Sequence, residues 1–378
     1  MKVEVLIYVY LAICVGMILF NITSAILARF RERKLLRASR GFQDRIMEEL
    51  EHCEEQTGVS EDHKAYLTRK LKHIGNMRAF DLCLEQVYQD DPERIRQYLR
   101  DISSVFVSLA ISYGKKDDIE AAYFPYIIKK YRVLTGRPFD AMLDLLYTLL
   151  HEPSIYCREN AMQAIYSVGE ADCVVKALKT VDSQPNFYHA KLLTDGLLNY
   201  DGDRKRLSEA LWAEFESFSL HMQLALLNYF RFSSGDHCER MLALLADESR
   251  DDEIRFSCIR YFGKYRYDPA YEILLSCADI RRETRWEYAA IASSALSAYP
   301  SDRTVEVLKA NLYHRNWYIR YNASQSLVDL GLTYLDLIDI VEGEDRFASE
   351  ILRYRFHMRD IIEEEREEKE EGKMSTVC

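Results

Sequence analysis

The sequence predicts an all-α protein: an α-solenoid of helix pairs preceded by a single N-terminal transmembrane helix. Three observations point there. Glycine and proline are scarce, 14 and 7 in 378 residues, and runs of β-branched residues are few, which favours helix over sheet. Residues 5–28, VLIYVYLAICVGMILFNITSAILA, are 24 positions without a charge, and about 20 apolar residues suffice to cross a bilayer as a helix. The second half carries a pattern that returns every 31 to 33 residues.

The apolar segment reads as an uncleaved anchor. A signal peptide has a shorter apolar core and a small-x-small cleavage site, whereas here the run is long and Ile26 stands where a small residue is wanted before Ala28. Residues 29–40, RFRERKLLRASR, hold six basic side chains and one acid; only Lys2 and Glu4 precede the span. Basic flanks stay cytoplasmic. The expectation is a single-pass protein of the cell membrane: residues 1–4 outside, 5–28 in the membrane, 29–40 a basic juxtamembrane segment, and the rest cytoplasmic. The sequon at Asn21 lies inside the span, so no glycan is expected there. Gly16 and Ser24 do not form a GxxxG dimer face.

Charge reverses after the collar. Residues 1–40 carry seven basic and two acidic side chains, leaving 43 basic against 59 acidic beyond them. An acidic body lacks the electrostatic footprint of a nucleic-acid binder, and an anionic bilayer surface repels it, so its partners are expected to be proteins. The nine cysteines are scattered with no CxxC pair. They read as free thiols of a reducing compartment rather than as a zinc site.

Residues 41–138 form an N-terminal helical region, divergent repeats or a cap. Helices are expected near 41–56, 60–74, 76–89, 92–113 and 116–134, with Asp91 capping a helix that has Pro92 at its first position. A break is expected across 129–138. At the far end, 344–378 is a C-terminal helix and acidic tail. Residues 363–373 carry seven acids and three bases, a run that either extends the helix or solubilises the terminus.

Between them, 139–343 repeats. The segments beginning SIYCRENA, NFYHAKLL, SLHMQLAL, DEIRFSCI, RWEYAAIA and NWYIRYNA align on Arg158, His189, Met222, Arg255, Tyr288 and Arg320. Three residues beyond each anchor stand Ala161, Leu192, Ala225, Cys258, Ile291 and Ala323. Seven beyond stand Ile165, Gly196, Tyr229, Phe262, Ala295 and Leu327. That spacing makes one apolar helix face. Second amphipathic segments lie between these helices, several opening on a capping residue: Asp236, Asp268 before Pro269, and Ser301 after Pro300. Helix pairs of this size cannot bury their faces alone and stack into a solenoid.

The segments IRFSCIRYFG and IRYNASQSLVDLG, and less closely CRENAMQAIYSVG, resemble the HEAT repeat family. In that family the second helix opens with a Val/Ile-Arg pair followed by a small core residue, as in Ile254-Arg255 with Cys258 and Ile319-Arg320 with Ala323. The resemblance implies a structural role for Arg158, Arg255 and Arg320, bridging helix ends and neighbouring repeats, with Glu152 a candidate acid for Arg158. His189, Met222 and Tyr288 depart from the pattern.

No catalytic signature is present: no GxSxG, P-loop, GxGxxG, HExxH or kinase set, and no two histidines lie four apart. Paired carboxylates such as Asp117-Asp118 and Asp251-Asp252 sit where helices start and read as caps. The sequence therefore predicts no enzyme, no cofactor and no metal. It predicts a membrane-tethered scaffold that binds a protein partner along the solenoid. An accessory subunit of a membrane enzyme complex, such as one of envelope or exopolysaccharide synthesis, is one alternative. A ligand-handling enzyme with a pocket in the groove is another. Tyr156, Trp286, Trp317, Tyr318 and Tyr321 are the candidate partner-binding residues; packing inside or between repeats is the competing reading of each.

Overall fold

The computed structural model describes residues 3–53, 58–116, 118–134, 140–185, 188–282 and 285–375. Among them there are twenty α-helices, a few short 3₁₀ turns and no strand. In chain order the helices are α1 Val3–Cys53, α2 Glu61–Leu71, α3 Ile74–Asp90, α4 Pro92–Asp101, α5 Ser103–Tyr113, α6 Asp118–Lys130 and α7 Asp140–Leu149, then α8 Ile155–Val168, α9 Ala171–Asp182, α10 Ala190–Leu198 and α11 Arg204–Ala213. The remainder are α12 Leu220–Ser233, α13 Cys238–Ala246, α14 Asp252–Lys264, α15 Tyr271–Ala278, α16 Trp286–Ala295, α17 Asp302–Asn311, α18 Trp317–Asp329, α19 Ile338–Val341 and α20 Arg346–Ser375. The chain forms two compact units, Met1–Tyr188 with Asn199–Glu214, and His189–Leu198 with Phe215–Cys378.

In the first unit α1 is one helix of 51 residues. Its first half exposes Tyr8, Leu11, Ile18, Phe20, Leu27 and Phe30; its last turns bury Phe42, Ile46 and Leu50 against α3. It is the one helix among the described residues long and apolar enough to cross a membrane. The apolar stretch, the basic stretch after it and the described part of the helix expected near 41–56 are thus a single element. No proline precedes Pro92, so nothing in the sequence forces a stop. The expected helix 92–113 is instead two, α4 and α5, parted at Ile102, whose carbonyl accepts from Val105 N. Asp91 caps α4 as expected, accepting from Arg94 N at 3.1 Å. Further on, α6 lies beside α8, and α7, α9 and α11 complete the unit. The expected break at 129–138 begins at Tyr131; its last four residues lie outside the described ones.

In the second unit α10, α12, α14, α16, α18 and α20 each lie beside the next, while α13, α15, α17 and α19 each pack on the helix after them. The column seven beyond the anchors is buried throughout. The column three beyond slips in two helices: Leu192 is exposed and Ile291 only half-buried, while their neighbours Leu193 and Ala292 are fully buried. A one-residue slip turns a helix by 100°, and α10 and α16 take it where the anchor is His189 or Tyr288 rather than arginine. Of the expected caps, Ser301 accepts from Thr304 N. Asp236 is not the cap of α13; that position is His237, and Asp236 accepts from the Ser234 hydroxyl instead. Asp268 begins a 3₁₀ turn whose cap is Tyr267. The charged tail continues α20 as far as Ser375.

Candidate partner-binding surface

The second unit carries a connected row of solvent-facing rings. It starts at Asn316, whose Oδ1 accepts from Tyr318 N at 2.9 Å and fixes the first turn of α18. That cap sets Trp317, Tyr318 and Tyr321 on one rim of the helix. Trp317 and Tyr321, four residues apart and so neighbours on the helix surface, have ring centres 4.6 Å apart; Trp317 meets Tyr318 edge-on at 5.2 Å. Tyr318 also stacks at 5.7 Å on Trp286, which opens α16. From α20, the Arg355 guanidinium lies 3.8 Å from the Tyr321 ring centre and donates to Tyr321 O. Tyr354 stands beside it, and Phe347, seven residues earlier on α20, lies against the Arg320 guanidinium.

These rings are not core. Trp286 is 41% exposed, Trp317 50%, Tyr318 57% and Phe347 62%, with only Tyr321 half-buried under Arg355. The core aromatics are others, such as Tyr229, Phe230, Tyr261, Phe262 and Tyr288. Tyr156, 75% exposed, lies on α8 of the first unit. The sequence reading missed Phe347, Tyr354 and Arg355, which fall in the segment after 343, outside any repeat column.

The anchor arginines are not available to a ligand. Arg320 Nη1 donates to His314 O at 2.7 Å and Arg315 O at 3.0 Å, six and five residues back, in the turn that precedes α18. Arg158 does the same before α8, to Glu152 O at 2.9 Å and Pro153 O at 2.8 Å. Its bond is to the Glu152 main chain, not to the carboxylate expected of Glu152. Arg255 Nε donates to Leu245 O in α13 at 3.1 Å. All three are buried and satisfy carbonyls left open where the preceding helix ends. Asn160 and Asn322, two beyond Arg158 and Arg320, donate to Ala122 O and Ala290 O on the neighbouring helices.

Among the described residues no three His, Cys, Asp or Glu gather as metal ligands. Burial pushes the Cys83 and Cys258 thiols up to about 12, which keeps them protonated and unreactive. Asp251 caps α14, accepting from Glu253 N, while Asp252 is drawn off by Arg285 and Tyr288. The chain matches no protein-family model and no curated protein.

Proposed function

We propose that the protein is a membrane-tethered scaffold whose helix pairs stack as a HEAT-like solenoid, and that the ring row of α16, α18 and α20 holds an apolar segment of a protein partner. The single observation behind the reading is that row. Tryptophan, tyrosine and arginine are the side chains that dominate binding energy at protein interfaces, and contiguous exposed apolar surface on a soluble domain marks an interaction site. The rings are already braced against one another and by Arg355, so little side-chain freedom is lost on binding. The N-terminal half of α1 crosses the membrane with its N-terminus outside, as the basic collar directs; the partner then lies in or at the same membrane, as an accessory role to a membrane enzyme requires.

The test compares the full-length protein with the double variant Trp317→Ser, Tyr318→Ser after mild detergent extraction and affinity capture. One and the same membrane protein should be retained by the wild type and lost with the variant, while the melting temperatures agree. Equal recovery with both would remove the ring row as the docking surface.

A further inference from the structure

The first unit contains a cavity of about 880 Å³ walled by α3, α4 and the end of α6. Four cations line it, Arg96, Arg100, Lys130 and Arg132, with one carboxylate, Glu85, which pairs with Lys130. Its floor is apolar, with buried Leu99 and Val133, and Tyr88 forms a side wall.

The wall is built rather than incidental. Buried Asp81 accepts from Tyr123 Oη at 2.6 Å, Tyr131 Oη at 2.7 Å and Lys130 Nζ at 2.7 Å, which locks the end of α6 to α3. Arg96 Nε donates to Tyr88 Oη at 2.9 Å. Arg100 is held by an uncharged acceptor, Gln97 Oε1, through both Nε and Nη2. Arg96 and Arg132 pair with Glu93 and Asp201, exposed pairs of the kind that contribute little and yield readily to a stronger anion.

Arg132 is the telling residue. Val133 N donates to Ile128 O and Arg132 N to Lys129 O, the Schellman closure that normally places glycine at the left-handed position. Arginine occupies it here at φ 50°, the one non-glycine with positive φ among the described residues. Retaining a side chain where the backbone favours glycine argues that the side chain is needed. It lines this cavity.

We propose that the cavity binds a soluble phosphorylated small molecule, with phosphate oxygens taken by Arg96, Arg100 and Arg132 and the organic body lying on Tyr88 and the apolar floor. Guanidinium forks match phosphate geometry. A phosphate could equally arrive on a lipid headgroup, but Arg94 of α4 meets α1 at Leu50 O, 22 residues past Ala28 and about 33 Å along the helix. If the anchor spans the bilayer as proposed, the cavity stands well clear of it. The cavity itself does not depend on that reading.

The experiment is isothermal titration of the full-length protein in mild detergent at low ionic strength, with inorganic pyrophosphate and with ADP as probes. Both should bind, ADP the more tightly. Arg132→Gly suits the left-handed backbone, so its melting temperature should stay within about 3 °C while affinity falls about tenfold. Arg100→Gln should lower affinity similarly, and it remains informative if the glycine variant folds poorly. Asp201→Asn, which frees Arg132, should bind at least as tightly as wild type. Absence of heat with both probes at millimolar concentration, unchanged affinity in Arg132→Gly and Arg100→Gln, or binding to phosphatidic acid vesicles without binding to either soluble probe would each overturn the proposal.

Discussion

The guanidinium of Arg255 lies over the ring of Tyr288, Cζ 5.0 Å from its centre, and the Tyr288 hydroxyl returns to the first turn of α14, donating to Asp252 Oδ1 at 2.6 Å. Two anchors 33 residues apart thus close a loop between α14 and α16. Burial raises the Tyr288 phenol above its ordinary pKa and the bond to Asp252 adds to that, so it remains a donor throughout the physiological range. Tyr288→Phe deletes a charge-assisted bond without emptying the site. It should cost about 1–3 kcal/mol in urea unfolding. A variant as stable as wild type would show that packing alone joins the two helices.

Arg320 makes the stronger case for a structural arginine. Its two carbonyl acceptors, His314 O and Arg315 O, sit in one turn, and its other face covers Phe347. Arg320→Ala leaves both carbonyls short of a donor and should destabilise by about 2–3 kcal/mol; Arg320→Lys, with a point charge instead of a fork, should recover only part. Arg158→Ala should behave alike. Loss of partner capture in Arg320→Ala without loss of stability would reassign the residue from scaffold to contact.

Gly202 is required by a close approach. Tyr200 Oη donates to Gly169 O at 2.7 Å, and a Cβ added at Gly202 would lie 2.2 Å from that same carbonyl and 2.3 Å from Tyr200 Oη. Gly169 itself ends α8 at φ 82°. Gly202→Ala should therefore lower stability by about 1–3 kcal/mol, whereas Gly16→Ala, which meets nothing within 4 Å, should be neutral. Equal unfolding midpoints for the two would contradict the packing.

Three histidines set a pH dependence. Burial lowers the pKa of His63, bonded to Tyr98 Oη through Nε2 at 2.8 Å, despite Glu49 nearby, and lowers that of His237 against the opposing Asp236. His314 is lowered by burial and by Arg315 and Arg320. A histidine with a depressed folded pKa is neutral in the fold, and the unfolded chain takes up the proton first as pH falls below the ordinary 6.5. Stability is then full above pH 6.5 and declines beneath it. The acids held below their ordinary range, Glu216 by Arg250 and Asp279 by Arg281, lose their contribution only in the carboxylate range. Urea unfolding at pH 7.5 and 5.5 should show the decline, and His63→Gln should reduce it. An unchanged slope in that variant would exclude His63 as a source.

Helix content was legible because the apolar spacing of 139–343 is read directly from side-chain periodicity, and each anchor falls inside or one residue before a helix: Arg158 in α8, His189 before α10, Met222 in α12, Arg255 in α14, Tyr288 in α16 and Arg320 in α18. The slips at Leu192 and Ile291 were not legible, since Leu193 and Ala292 are also apolar and only packing chooses between them. Four of the five chosen rings proved exposed, and the repeat register separates exposed Tyr318 from buried Tyr288: Tyr288 is an anchor, in a column also buried at Met222, Arg255 and Arg320, whereas Tyr318 stands two residues before its anchor, level with exposed Tyr156 and Trp286. The cationic cavity was hidden for a different reason. Arg96 and Arg100 come from α4 and Arg132 from just past α6, segments that meet through α3, where Arg96 bonds Tyr88 and Tyr123, Lys130 and Tyr131 bond Asp81, and the Schellman arginine looks from sequence like one more basic residue after a helix.

The continuity of α1 makes the most direct prediction. If the apolar stretch spans the bilayer as proposed, an unbroken helix fixes the height and facing of the first unit, where a loop would let it wander. Here Ser39, Phe42, Ile46 and Leu50 are buried in the first unit, while Arg31, Arg33, Lys34 and Arg37 between them and the apolar stretch remain exposed. The basic stretch is thus a spacer of about ten helical residues, some 15 Å long. Spin labels at Ile26 and Met47, both exposed, are 21 residues apart and should give one narrow distance near 32 Å by double electron–electron resonance, with the native cysteines replaced. Proline at Lys34 breaks the hydrogen-bond ladder and should broaden and shift that distribution while leaving the packed end of α1 unchanged. A broad distribution in the unsubstituted chain would mean that the basic stretch is a hinge, and the proposed anchor would then tether the first unit without orienting it.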